Sequence, residues 1–240
     1  MNRILFEPSE IRDGVATFGG VRAAHVLDVL HGEVGQVLKT GEIDGPVGTS
    51  VITAIAAGPE PTVTVACTHD APSLQPWVDL ILAPPRPRVM KRLLPQLAAM
   101  GVGRLVLVGA EKVERDFWGA TLLKPENYRP LFVDGLMQAG TSILPELLVR
   151  KSFRRFVRDE LDALFPQRRR LVAHPYDAPA DVCAPSAGET ERLLLAIGPE
   201  GGWTDGEVAL LEERGFRRYS LGGRILRTDT ATIALLAKLG

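Results

Sequence analysis

Two glycine-rich turns carry the residue types with the clearest chemical use in this sequence. The first, Gly198-Pro199-Glu200-Gly201-Gly202, leaves the apolar run Leu193 to Ile197. The second lies within Leu221-Gly222-Gly223-Arg224-Ile225-Leu226-Arg227-Thr228-Asp229-Thr230-Ala231. Glycine puts no Cβ between the backbone and a ligand, so such turns can bend sharply against a bound molecule. Both turns run from a strand-like stretch into a helix. Leu193 to Ile197 reads as a buried strand, and Thr204-Asp205-Gly206-Glu207 opens the next helix as a capping box. Tyr219 to Leu221 is strand-like, Arg224 to Arg227 a loop, and Thr228 the cap of an Ala/Leu-rich terminal helix. On neighbouring strands of a parallel sheet, the two turns line one crevice at its carboxyl edge, where open α/β sheets bind ligands. Neither is a familiar phosphate cradle, because the GxxxxGK(S/T) and GxGxxG spacings are missing. The one GxG, Gly101-Val102-Gly103, follows a helical stretch and precedes a strand, the reverse of a dinucleotide turn. A single glycine turn is more often only a tight bend; two at this spacing favour a ligand.

Two groups of cations could meet phosphate. Arg86, Arg88, Lys91 and Arg92 sit where a strand runs into a helix, at the same carboxyl edge, a sensible rim for RNA. Arg150, Lys151, Arg154, Arg155 and Arg158, with Arg168 to Arg170, form the second group. There the apolar residues 153, 156, 157, 161 and 164 make one stripe of a helix, so the cations read first as its solvated face. His25, His31, His69 and His174 have no metal-ligand spacing and read as structural. Cys67 and Cys183 fit neither a disulfide framework nor a zinc site and read as small buried hydrophobes of a reducing cytoplasm.

The 240 residues suit one large domain or two modest ones, and 45% hydrophobic content is enough for a core. No apolar run approaches a bilayer span, and the first residues lack the apolar stretch of a signal peptide. The net charge of −1 hides an asymmetry. Residues 1–75 carry 4 Lys/Arg against 9 Asp/Glu, leaving 24 against 20 for the remainder. Phosphate neutralisation dominates nucleic-acid affinity, so an RNA surface is expected on the later part of the chain.

The elements that must position these residues fall into two rhythms. Over residues 1–70, short β-branched runs (Val34 to Leu38, Gly48 to Ala56, Thr62 to Thr68) alternate with glycine turns, with a short helix at His25 to Leu30. This predicts a small antiparallel barrel. His69 to Pro76 reads as a linker. From Trp77 the pattern becomes strand then helix. Strands are expected at Val78 to Ala83, Leu105 to Val108, Leu147 to Val149, Leu171 to Ala173 and Leu193 to Ile197. Helices are expected at Arg88 to Met100 (core positions Val89, Leu93, Leu97, Met100), Pro125 to Gln138, Phe153 to Phe165 and Asp205 to Glu213. Alternation of this kind predicts an α/β domain with a mostly parallel sheet and helices on both faces.

The pair of turns, GPEGG followed by LGGRILRTDTA, resembles the two C-terminal signature loops of the SPOUT methyltransferases. Within that superfamily the sequence is similar to the ribosomal small-subunit methyltransferase E family, which methylates uridine N3 in ribosomal RNA. The resemblance is collinear over the rest of the chain. It implies a PUA-like, RNA-associated β-barrel over residues 1–70 and a knotted α/β methyltransferase domain over 77–240. It also implies S-adenosylmethionine (SAM) held in a bent form by the knotted loops, and a homodimer with each site beside the partner subunit. The partner is ribosomal RNA or the small ribosomal subunit, the location cytoplasmic, and neither metal nor membrane is involved.

Methyl transfer from a sulfonium is a direct displacement that rewards alignment of donor and acceptor. The resemblance assigns one wall of a SAM pocket to Gly198, Pro199, Glu200, Gly201 and Gly202, and another to Leu221, Gly222, Ile225, Leu226 and Arg227. The strand end at His174-Pro175 forms a third. Uridine N3 must lose its proton, which calls for a base or a cation beside the carbonyl oxygens. Arg227 matches the family's arginine and would supply the cation; its plainer role is pairing with Asp229 or Glu200. Glu200 is the candidate base; its plainer role is tying down backbone N–H groups. The target base must leave its stack, because N3 lies on the pairing edge. Three positions depart from the family pattern: His31 and Thr141 stand where arginine is usual, and Met100 where glutamate is usual. They leave two alternatives, another RNA acceptor such as a ribose hydroxyl, or a non-catalytic SAM- or RNA-binding relic.

Overall fold

Alternating apolar residues build the first sheet. A computed structural model describes residues 2–166, 169–175 and 192–240. The chain forms two compact units, one of residues 1–74 with 133–144 and one of 75–132 with 145–240. The first contains β1 (Ile4–Phe6), β2 (Ile11–Arg12), β3 (Val15–Phe18), α1 (Gly20–Ala24), β4 (Val37–Glu42), β5 (Val47–Ala56) and β6 (Thr62–Ala71). The strand order is β1-β4-β5-β6-β3-β2. Leu38, Ile52, Val63, Val65, Ala16 and Phe18 face inward and make its core with Ile4, Phe6 and Val26. Cys67 is half-buried against this core; Cys183 lies outside the described residues.

The curled sheet differs from the sequence expectation in four ways. One edge is parallel, β1 on β4, because Ile4 to Phe6 pair with Thr40 to Glu42. β4 begins three residues later than expected, and β6 runs on to Ala71 through pairing with Val47, shortening the expected linker. The expected helix at His25 to Leu30 is instead α1 followed by one π-turn, His25–Val29, closed by Leu30 N–H on the His25 carbonyl. There is no side-chain cap at its start.

The second unit is the α/β domain expected from the strand–helix alternation. It holds β7 (Val78–Leu82), α2 (Pro87–Ala99) and β8 (Val102–Val108), then α3 (Pro125–Ala139), whose last residues, from Val133, belong to the first unit. β9 (Glu146–Arg150), α4 (Phe153–Arg155), α5 (Leu161–Leu164), β10 (Arg170–Ala173), β11 (Leu193–Ile197), α6 (Asp205–Glu213), β12 (Arg217–Tyr219) and α7 (Thr228–Leu239) follow. All six strands are parallel, in the order β12-β10-β11-β7-β8-β9. A parallel sheet must be covered on both faces, and its central strands β7, β8 and β11 are accordingly almost wholly buried, while the edge strands β9 and β12 keep charged residues. Ile81, Val106, Val108, Leu194 and Ala196 meet Phe153, Phe156, Val157, Leu161 and α6 on one face. Leu80, Leu105, Leu107 and Leu195 alternate to the other, the side of α2 and α7. Each fully buried Leu, Ile or Phe contributes about 1.5–3 kcal/mol.

Two helices depart from their expected faces. α2 buries Met90, Leu93, Leu94, Leu97 and Ala98, while Val89 and Met100 are only half-buried. The stretch expected as one helix, Phe153 to Phe165, is interrupted by a π-turn at Phe156–Glu160. The wider turn inserts a residue, so Phe165 rather than Leu164 completes the buried stripe.

Candidate functional site

The two glycine turns do meet, though not on adjacent strands. β10 lies between β11 and β12, pairing with each. That order brings three strand ends to one edge: Gly198 to Gly202 after β11, His174 and Pro175 after β10, and the Ser220 to Arg227 loop after β12. Hydrogen bonds stitch the three ends together. The Thr228 hydroxyl at the head of α7 donates to the Gly198 carbonyl at 3.3 Å. The Ser220 hydroxyl donates to the Pro175 carbonyl at 3.2 Å and accepts from the Gly222 N–H at 3.0 Å. The His174 N–H donates to the Tyr219 carbonyl at 3.0 Å. The Gly202 N–H closes the first turn on the Pro199 carbonyl at 2.8 Å.

Between them lies a cavity of about 330 Å³, in the range of small-molecule sites. Pro175, Gly198, Pro199, Glu200, Gly201, Gly202, Leu221, Gly222, Ile225 and Leu226 all line it. Arg227 does not; it is exposed and occupies the N-cap of α7, so Thr228 is the first helical residue rather than the cap. β12 also ends sooner than expected. Arg217 to Tyr219 pair with Leu171 to Ala173, which leaves Ser220 and Leu221 free to form the loop. Gly202 and Gly222 have φ of +70° and +112°, and a Cβ on either would project into open space. Other side chains disfavour these angles, and their absence leaves the cavity unobstructed.

Several lining residues had no signal of their own in the sequence, among them Trp203, Tyr219 and Arg224. Thr228, Ala231 and Leu235 also line the cavity, and their three- and four-residue spacing along one helix face could have revealed them. His174, whose side chain read as structural and whose strand end was expected as the third wall, borders the cavity as well. The Trp203 indole packs under Gly198 and against Phe153, ring centroids 5.1 Å apart.

At the head of α6 the Glu207 half of the expected capping box is made, the Thr204 N–H donating to Glu207 Oε2 at 2.9 Å. Exposed Glu200 and Arg227 make no ion pair with each other or with Asp229 among the described residues.

The basic groups divide. Arg86 pairs with Glu114 at 3.1 Å, and Arg88, Lys91 and Arg92 are exposed around the start of α2. In the second group Arg150 is tied to Glu160 at 2.6 Å and Arg170 to Asp162 at 2.6 Å. Lys151, Arg154, Arg155 and Arg158 are exposed, and Arg168 lies outside the described residues. Part of the second group is therefore internal scaffolding. Among the described residues no three His, Cys, Asp or Glu side chains are grouped as for a metal. No helix among them is long and apolar enough to cross a membrane.

Residues 72–240 match the family model of the RNA methyltransferase domain. The ribosomal RNA small subunit methyltransferase E of Treponema pallidum is 31% identical over 240 residues, spanning 99% of this chain and 90% of that protein. The chain belongs to the ribosomal RNA small subunit methyltransferase E family. Solved structures agree. A methyltransferase of Legionella pneumophila, determined with its cofactor SAM bound, superposes with a TM-score of 0.74 at 26% identity, covering 99% of this chain and 96% of that one. The small-subunit methyltransferase E of Neisseria gonorrhoeae, also determined with SAM, shares the fold at a TM-score of 0.73 and 22% identity, covering 99% and 95%. The fold of this methyltransferase E family member is thus the SPOUT α/β domain preceded by a curled, barrel-like sheet.

The cavity suits SAM on its own chemistry. Ile197, Leu221, Ile225, Leu226 and Leu235 give apolar surface, and the glycine turns present bare backbone, the mixture expected of a small-molecule site.

Proposed function

We propose that this protein transfers the methyl group of SAM to N3 of a uridine in small-subunit ribosomal RNA. The convergence of both signature turns on one 330 Å³ cavity at the sheet's carboxyl edge carries the reading. SAM supplies a methyl group activated by its sulfonium. Gly198 to Gly202 and Leu221 to Leu226 orient it through backbone and apolar contacts, and the His174-Pro175 strand end supports the turn between them.

The acceptor needs its N3 proton removed as the new C–N bond forms and the S–C bond breaks. Glu200, exposed at the cavity, takes that proton. Arg227, with no ion-pair partner among the described residues, stands beside the uracil carbonyl oxygens and stabilises their developing negative charge. Arg86, Arg88, Lys91 and Arg92 bind RNA phosphates along the same edge. Residues 1–70 act as the PUA-like, RNA-associated domain and 77–240 as the methyltransferase domain, tied in a trefoil knot. The working form is a cytoplasmic homodimer.

Arg227→Ala tests the cation. Methylation is expected to fall at least 100-fold, while calorimetric SAM affinity changes little, because the residue does not line the cavity. Full activity in that variant would remove Arg227 from the mechanism.

A further inference from the structure

The Gly201–Gly202 peptide sits between two glycines and is free to flip, yet the structure holds it at both ends. Its N–H closes on the Pro199 carbonyl at 2.8 Å. Its carbonyl accepts a hydrogen bond from Lys112 Nζ, also at 2.8 Å. Lys112 stands in the loop after β8, remote in sequence from the turn. Its stem lies flat on Gly201: a Cβ there would sit 2.9 Å from Lys112 Cδ. The same loop is also joined to the head of α6, two residues beyond the turn. The Glu207 carboxylate, 3% exposed, accepts from the Glu111 N–H at 2.8 Å through Oε1 and from the Thr204 N–H at 2.9 Å through Oε2. Farther along, Glu114 pairs with Arg86 at the head of α2.

We propose that the loop after β8 is a strut that sets the shape of the Gly198–Gly202 turn, with Lys112 and Glu207 as positioning residues for the SAM site. The inference rests on the reading of that cavity as the SAM site. A peptide is planar, so fixing its carbonyl also fixes its N–H. Two glycines allow either flip state of this peptide, and the Lys112 ammonium selects the one in which Gly202 N–H points back to Pro199. Glu207 does more than cap α6. With one oxygen on the Glu111 N–H and the other on the Thr204 N–H just past the turn, it ties the β8 loop to the segment that leaves the turn, and its burial makes both bonds costly to leave unmade. Neither residue touches the cavity, so both act through the turn.

Lys112→Met keeps the stem on Gly201 and removes only the ammonium. Calorimetry with SAM is expected to show a dissociation constant raised about tenfold. KM for SAM should rise with it, kcat should hold, and the thermal midpoint should stay at the wild-type value, since the ammonium is exposed. Lys112→Arg, which restores a donor, should recover most of the affinity. Glu207→Gln should weaken SAM binding and lower the thermal midpoint together, because an amide N–H then faces a backbone N–H. Lys112→Met with wild-type SAM affinity and KM would overturn the strut while leaving the SAM site intact. Wild-type protein that itself fails to bind SAM would overturn the site and the strut together.

Discussion

Gly198 shows how closely the site is fitted at the scale of single residues. Its backbone angle is ordinary, so what excludes other residues is space. A Cβ there would lie 3.1 Å from the Trp203 indole, which is held from behind by Phe153. Gly198→Ala must therefore displace the indole or the turn. We expect a loss of stability of about 1–3 kcal/mol in denaturant unfolding, and SAM affinity weakened several-fold by calorimetry. Unchanged values for both would mean that Trp203 does not support the turn. Much of this neighbourhood was legible in the sequence, because glycine turns and capping boxes are local signals. The two turns were found that way, and the resemblance then assigned Pro199, Glu200 and the Leu221 to Leu226 loop to the pocket. Trp203, Tyr219 and Lys112 were not, since a lone residue has no spacing, and only the folded sheet brings Lys112 to Gly201. Arg227 was recognised by resemblance, but its N-cap position depends on where α7 begins, which α7's own hydrogen bonds decide.

Among the elements, β10 is the one whose place the sequence hid. The turns were expected on neighbouring strands; β10 separates them and supplies the third wall at His174 and Pro175. Strand order arises from pairing between residues far apart in the chain, and nothing local reports it. The same holds for the π-turn at Phe156–Glu160, which tertiary packing imposes on a regular helical pattern.

A clasp fixes β10 to its surroundings. Asp162, beyond that π-turn, accepts from Arg170 on β10 at 2.6 Å and from Arg214 after α6 at 2.8 Å. The bond from Arg170, with the second from Arg214 and their charges, outweighs partial burial and holds the carboxyl below the usual aspartate range. A lowered pKa means that folding favours the ionised form. The clasp's contribution is thus complete above the ordinary aspartate pKa and disappears as acid protonates the group, from that value down through the lowered one. The carboxylate is half exposed, so solvent screening limits the contribution to about 1 kcal/mol or less. Asp162→Asn is expected to lower the denaturation midpoint at pH 7 and to match the wild type at pH values below the carboxylate range. An equal deficit at both pH values would mean that the clasp is not electrostatic.

For the whole molecule, the charge asymmetry favours an RNA surface on the later part of the chain. The second unit carries the cavity and the exposed cations around α2, while residues 1–75 are acidic. The two rhythms of the sequence, short β-branched runs and then strand–helix alternation, reappear as a curled sheet and a parallel sheet. Their division differs in one respect: residues 133–144 belong with the first unit, and the periodicity of a continuous helix cannot announce such a partition. The proposed homodimer makes a simple demand at this scale. Light scattering of purified protein at micromolar concentration should give twice the subunit mass; a single-subunit mass with retained methylation would exclude a site that depends on its partner.

The central claim is methyl transfer to uridine N3 in small-subunit ribosomal RNA. The most direct measurement incubates the protein with isotopically labelled SAM and small ribosomal subunits lacking the modification, then maps the labelled RNA by reverse transcription. N3 lies on the pairing edge, so its methylation blocks primer extension. We expect label in the RNA and a new stop beside a single uridine, both absent with Arg227→Ala. Label without a stop would place the methyl group elsewhere, as on a ribose hydroxyl, and no label from a protein that binds SAM would contradict the assignment of ribosomal RNA as its substrate.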